Sequence, residues 1–352
     1  MNTNPNTPSL VHWKSRVLLL LSLPCFLNSS QVIAGDLALE LKNVPHRIVY
    51  ETYAGDNWEL FMVNADGSNP INLTQTPQVD ELYPHVSPDG TKVCYSADEG
   101  RGADKVRNVY YMNLDGSGRT RVAVNARQAC WNSTGTQIAY LKGEKSNYNN
   151  HEAASKGLFI YDLKTGQYRQ HPNRQIEHIF NVCWTRDGKW FVATVYGGMG
   201  FGFAIIAIEA NSDRVVDLNI RGCRPDLSPD GKRIVWCWDN GNLAVADFDC
   251  TTGTPRVLNP RVFVTTAPFW PYNADWSPDG RYVAFANIDE KQDAKLGVYA
   301  VYVGARARGA NICVADPSQT NRWVAITSDG NSNKEPDWVP TRARATSNSE
   351  KK

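Results

Sequence analysis

One local unit recurs along this chain and limits what it can fold into: a Ser-Pro-Asp-Gly turn followed at once by a strand. Trp276-Ser277-Pro278-Asp279-Gly280 leads into Arg281-Tyr282-Val283-Ala284-Phe285. Val86-Ser87-Pro88-Asp89-Gly90 precedes Val93-Cys94-Tyr95, and Leu227-Ser228-Pro229-Asp230-Gly231 precedes Ile234-Val235-Trp236. Proline presets φ for the turn, the Asp side chain caps it, and glycine takes the positive φ that other residues avoid. Looser copies are Trp131-Asn132-Ser133-Thr134-Gly135 and Trp184-Thr185-Arg186-Asp187-Gly188, and a truncated one is Glu335-Pro336-Asp337-Trp338-Val339-Pro340. Aligned on the residue before the turn, the six copies fall at positions 86, 131, 184, 227, 276 and 338. Spacings near 40–50 residues with about four strands per unit are those of propeller blades.

The ends of the chain complete the count. His46-Arg47-Ile48-Val49-Tyr50 matches the second strand of the other units, Glu59 to Asn64 the third, and Pro70 to Thr74 the fourth. The C-terminal copy offers a first strand and nothing after it. Joining the two closes the ring and leaves no open sheet edge. The sequence therefore predicts an all-β chain: a six-bladed β-propeller of four-stranded antiparallel blades over 46–340, closed by N-terminal strands 2–4 plus a C-terminal first strand. Residues 35–45 read as a short lead-in and 341–352 as a disordered Ser-, Lys- and Arg-rich tail.

Residues 1–34 read as a secretory signal peptide: Lys14 and Arg16 precede an apolar run from Val17 to Leu27, too short for a membrane span, with Val32-Ile33-Ala34 before a cleavage point at Gly35. The expectation is a periplasmic or secreted protein with no transmembrane span after cleavage. With a net charge of +1 and 21% charged residues there is no electrostatic footprint for nucleic acid. Seven cysteines follow the leader. Aligned copies put small residues where most of them fall, as with Cys94 opposite Ala139, Val192, Val235 and Ala284, so they read as small buried hydrophobes. No CxxC pair points to a thiol redox site.

In an up-and-down blade the Ser-Pro-Asp-Gly and Asp-Gly-Ser turns share one face of the disk. Every sizeable insertion (Asp98–Asn108, Lys142–Lys156, Gly197–Gly202, Asp289–Gly309) lies on the other, with the connectors Gln170–His178 and Pro260–Trp270. A binding site is expected on that loop-rich face or in the channel mouth beneath it. Two polar rings are expected to line the channel. One comprises His85, Cys130, Cys183, Asp226, Asp275 and Asp337, each just before the turn. The other comprises Tyr83, Gln128, Asn181, Arg224, Asn273 and Glu335, two residues further back. These include the usual metal donors, but six donors spread round a ring hold opposite members far apart. A solvated channel wall is the expected state, with no cofactor and a divalent metal as the alternative. No Gly-x-Ser-x-Gly elbow or HExxH motif occurs, and no catalytic residue is assigned.

The turns preceded by Pro-x-Trp, with the Asp-Gly turn and Leu-Thr ending of Asn64 to Thr74, resemble the propeller repeats of TolB, a periplasmic component of the Tol–Pal envelope system. The resemblance covers roughly residues 46–340. It also touches the propellers of prolyl-oligopeptidase-like peptidases and oligogalacturonate lyases. The stretch from Gly35 to His46 is too short for the α/β domain that precedes the TolB propeller, and the stretch after Pro340 too short for a hydrolase domain. The resemblance thus implies a monomeric, non-catalytic exported propeller that binds an envelope or extracellular protein, or a glycan. The alternative it implies is a metal-dependent polysaccharide lyase or hydrolase working at the channel mouth, built on His85 with Asp226, Asp275 and Asp337 and helped by Tyr83 or Arg224.

Overall fold

The computed structural model describes residues 29–145, 148–149, 151–289 and 302–341, with the backbone alone for 29–34. The expected leader lies outside the described residues up to 28, and so does the tail from 342.

Six four-stranded antiparallel sheets form the ring. Blade 1 takes its innermost strand, Ser332–Val339, from the C-terminal end and Arg47–Ala54, Asn57–Asn64 and Ile71–Asn72 from the N-terminal part. The closure is therefore the one expected, paired from Arg47 opposite Val339 to Tyr53 opposite Ser332 with one register shift opposite Val49–Glu51. The innermost strands of blades 2 to 6 are Asp80–Val86, Ala126–Trp131, Ile179–Trp184, Cys223–Leu227 and Trp270–Trp276. The fifth blade departs from expectation at its edge. Its outer strand runs Arg256–Thr265, so half of the expected connector Pro260–Trp270 is sheet.

The five described turns share one hydrogen-bond scheme. The glycine N–H donates to the carbonyl of the first turn residue in each: Gly90 to Ser87, Gly135 to Asn132, Gly188 to Thr185, Gly231 to Ser228 and Gly280 to Ser277, at 2.7–3.0 Å. In the three full copies the serine hydroxyl donates to the aspartate, at 2.6–2.7 Å. The same hydroxyl accepts the N–H that opens the next strand, from Lys92, Arg233 and Tyr282. In the loosest copy Asn132 Oδ1 replaces the serine, accepting from Gln137.

Both faces of each sheet are buried between neighbouring blades, which explains the continuous apolar run Trp190–Ala193, with side chains in two different clusters. One helix, α1 (Ser29–Leu41), precedes the ring. Its Leu37 and Leu41 are buried against Ile48, Tyr50 and Trp338, and Glu40 accepts from Arg322 at 2.5 Å. The segment read as a plain lead-in is thus helical to Leu41. Among the described residues no helix is long and apolar enough to cross a membrane.

Candidate functional site

All six innermost strands break register at the same place. The shift falls between Leu82 and His85, Arg127 and Cys130, Phe180 and Cys183, Cys223 and Asp226, and Tyr272 and Asp275, and opposite Val49–Glu51 in the closing blade. At each bulge one residue takes a left-handed backbone: Tyr83, Gln128, Asn181, Arg224, Asn273 and Glu335, all with φ between 48° and 56°. None is glycine, so each carries a conformational cost of about 1 kcal/mol. What holds them is visible in three of the six. The bulge frees a backbone N–H, and a side chain of the preceding blade accepts it: Glu51 from Tyr83 (2.8 Å), Ser96 from Gln128 (3.3 Å) and Thr194 from Arg224 (2.8 Å).

The ring that contains His85 does the same one step nearer the turn. Asp337 Oδ1 accepts from Val86 N–H at 2.8 Å and Asp275 Oδ2 from Trp338 at 2.7 Å. His85 Nδ1 accepts from Trp131 at 3.4 Å and Asp226 Oδ2 from Trp276 at 3.3 Å. Each of these side chains takes the N–H of the next blade. The ring residues are therefore staples between blades as well as channel wall.

The structure brings ten of the twelve ring positions onto one axial cavity of about 60 Å³, room for a few waters. Gln128 and Arg224 sit outside it, at 2% and 6% exposure. Arg224 instead pairs with Glu152 and packs against the rings of Phe180 and Tyr272. Inside the cavity Asn181 Nδ2 donates to Asn273 Oδ1 at 3.2 Å, while Asn273 Nδ2 and one oxygen of Glu335 are buried with no protein partner. Burial, then repulsion from Glu51, raises Glu335 well above the carboxylate range. Burial pushes Asp337 up to about 8 and raises Asp275, which is further raised by Asp337 and Asp226. Burial also raises Asp226, with His85 pulling it the other way, and lowers His85.

On the loop-rich side, described residues of two insertions reach into the channel mouth. From the first, Glu152 holds Arg224, while the carbonyls of Asn149 and His151 accept from Arg127 at 2.7 and 2.8 Å. Tyr148 donates to Asp98, which also takes the Arg107 guanidinium in two bonds of 2.6 and 2.9 Å. From the second, the carbonyls of Tyr302 and Ala305 accept from Lys334 Nζ, each at 2.9 Å. Loop histidines there serve structure. His171 is buried, with Nε2 against Glu209 O and its pKa lowered by burial to about 4.

The channel opens on the tight-turn face. A funnel of about 700 Å³ is bounded there by the turns, with Trp131, Trp184, Trp276 and Trp338 in its wall and Pro88, Pro229 and Pro278 at its rim. Its floor is His85, Cys183, Asp226, Asp275 and Asp337, the same ring that roofs the inner cavity. Among the described residues no three His, Cys, Asp or Glu side chains converge closely enough to hold one metal ion. Four of the six side chains of this ring, His85, Asp226, Asp275 and Asp337, turn sideways to the next blade.

The fold and this geometry define the class: a six-bladed β-propeller with a funnel on its tight-turn face. Comparison with solved structures agrees with the fold. A chain of the nidogen/laminin complex matches with a TM-score of 0.55 and 8% identity, over 85% of this chain and 99% of that one. An oligogalacturonate lyase in complex with manganese gives a TM-score of 0.44 and 13% identity, over 67% of this chain and 70% of that one. The hydrazine synthase of Kuenenia stuttgartiensis gives 0.43 and 19%, over 69% and 64%. These are likenesses of fold. No family model matches the sequence, and no curated protein matches it.

Proposed function

We propose that this chain is a non-catalytic binding propeller of the cell envelope that takes up a segment of a protein partner in the funnel on its tight-turn face. The observation that carries this is the funnel itself, about 700 Å³ deep in the ring and floored by three carboxyl groups. Its tryptophans favour a protein over a glycan. Trp131, Trp276 and Trp338 are only 3% exposed, which leaves Trp184 alone among the wall tryptophans with surface on which a sugar could stack. The rim of proline, serine and backbone suits a peptide. The basic-then-apolar N-terminal segment supports export, and the TolB-like turns support an envelope role.

The test uses peptides selected from a displayed library on the purified protein. Ser133, exposed at the funnel rim, is changed to Trp to fill the opening, and Phe203, 53% exposed away from it, is changed to Asp as a control. Binding should weaken at least tenfold with Ser133→Trp and stay unchanged with Phe203→Asp. Binders that ignore Ser133→Trp and are lost with Phe203→Asp would overturn the assignment.

A further inference from the structure

Cysteines distant in function from the funnel meet on the other side of blade 5. Cys223 opens the innermost strand and lies directly opposite Cys237 of the strand Arg233–Asp239. Among the described strand pairs no other cysteine faces a second one. Opposed residues of an antiparallel pair have Cα atoms about 4.5–5.5 Å apart, within the span of a disulfide. Arg224 Nη1 donates to Cys223 Sγ at 3.8 Å. The two thiols also share access. Both line a cavity of about 340 Å³ with Phe203, Trp238, Trp270 and Tyr272, where Cys223 is partly exposed and Cys237 is 5% exposed.

We propose that Cys223 and Cys237 form a dithiol–disulfide site that exchanges with small disulfides entering this cavity, Cys223 attacking and Cys237 resolving. Exposure divides the two roles. Cys223 is partly exposed in the cavity with the Arg224 guanidinium on its sulfur, whereas Cys237 is only 5% exposed. Cys223 loses its proton, and its sulfur bonds to one sulfur of R–S–S–R; that S–S bond breaks and one RS⁻ leaves. Cys237 then loses its proton and bonds to Cys223 Sγ, displacing the second RS⁻. The two electrons lost by the pair reduce the disulfide to two thiols, and the two protons end on them. The site uses none of the funnel residues, so it stands independently of the binding proposal.

The test treats the folded full chain with oxidised glutathione, caps remaining thiols with an alkylating agent, and maps the linked peptides by mass spectrometry. Cys250 is the internal standard, a partly exposed thiol that burial pushes up to about 11. The expected product is a Cys223–Cys237 link. In Cys237→Ser the reaction should stop at a glutathione adduct on Cys223, formed at least tenfold faster than on Cys250. In Cys223→Ser neither link nor adduct should form at Cys237. Circular dichroism establishes that each variant is folded. Alkylation of both cysteines after oxidation of the native chain, or an adduct on Cys223 no faster than on Cys250, would overturn the proposal.

Discussion

Changing Asp337 to Asn removes one of the three carboxyls that floor the funnel while keeping an oxygen for Val86 N–H. Asp337 is 7% exposed, and burial pushes it up to about 8 against the 2.8 Å bond from Val86 that pulls it down. In the unfolded chain an Asp titrates near 3.9. Between those values the folded protein keeps a proton that the unfolded chain has lost. The stability tied to that proton is complete below about pH 4 and is lost as pH rises towards 8. One fully coupled group gives a slope of about 1.4 kcal/mol per pH unit. Because Asp226 and Asp275 share the same crowded site, about half of that belongs to Asp337, or about 1.5 kcal/mol between pH 5 and pH 7. Urea unfolding of the two proteins at both pH values measures it. Asp337→Asn should gain about 1.5 kcal/mol on the wild type in going from pH 5 to pH 7. A constant difference between the two proteins across that interval would refute the reasoning. So would a gap that moves in the opposite sense.

Two further substitutions test how the ring is closed and capped. A Cβ on Gly90 would lie 2.2 Å from the carbonyl oxygen of Pro340 at φ +66°, whereas one on Gly188, at φ +69°, would meet nothing within 4 Å. Gly188→Ala should therefore cost about 1 kcal/mol from backbone strain and Gly90→Ala about 3 kcal/mol or more, read from urea midpoints; equal losses would place the closure elsewhere. Leu41→Ala should cost about 3 kcal/mol, because Leu41 is 1% exposed in the cluster that joins α1 to blades 1 and 6. An unchanged midpoint in thermal unfolding would mean that α1 is not docked.

The blades were legible in the sequence because their turns are local chemistry. Ser87, Pro88, Asp89 and Gly90 fix a turn with bonds that reach no further than Lys92, and the same letters at 228–231 and 277–280 fix it again. The closure followed from which strands each end lacked. The two rings were legible as positions but not as geometry. The bulge that lifts Tyr83, Arg224 and Glu335 into a left-handed backbone is signalled only by Pro84, Pro225 and Pro336, prolines in the middle of the innermost strands, each the edge of its sheet, where a missing N–H is tolerated at a bulge. The open face could not be read from loop length. Insertions usually edge a site, but here Glu152 and Tyr148 reach back to Arg224 and Asp98, partners 72 and 50 residues away that no local pattern pairs. The Cys223–Cys237 pair escaped a search for CxxC because strand register, not spacing, brings the two together.

The funnel assignment is tested most directly by placing a photo-crosslinking amino acid at position 133 or at position 203 and irradiating cells that produce each protein. Binding through the funnel predicts a discrete protein adduct from position 133 and none from position 203. An adduct from position 203 with none from position 133 would contradict it and move the partner to the loop-rich face.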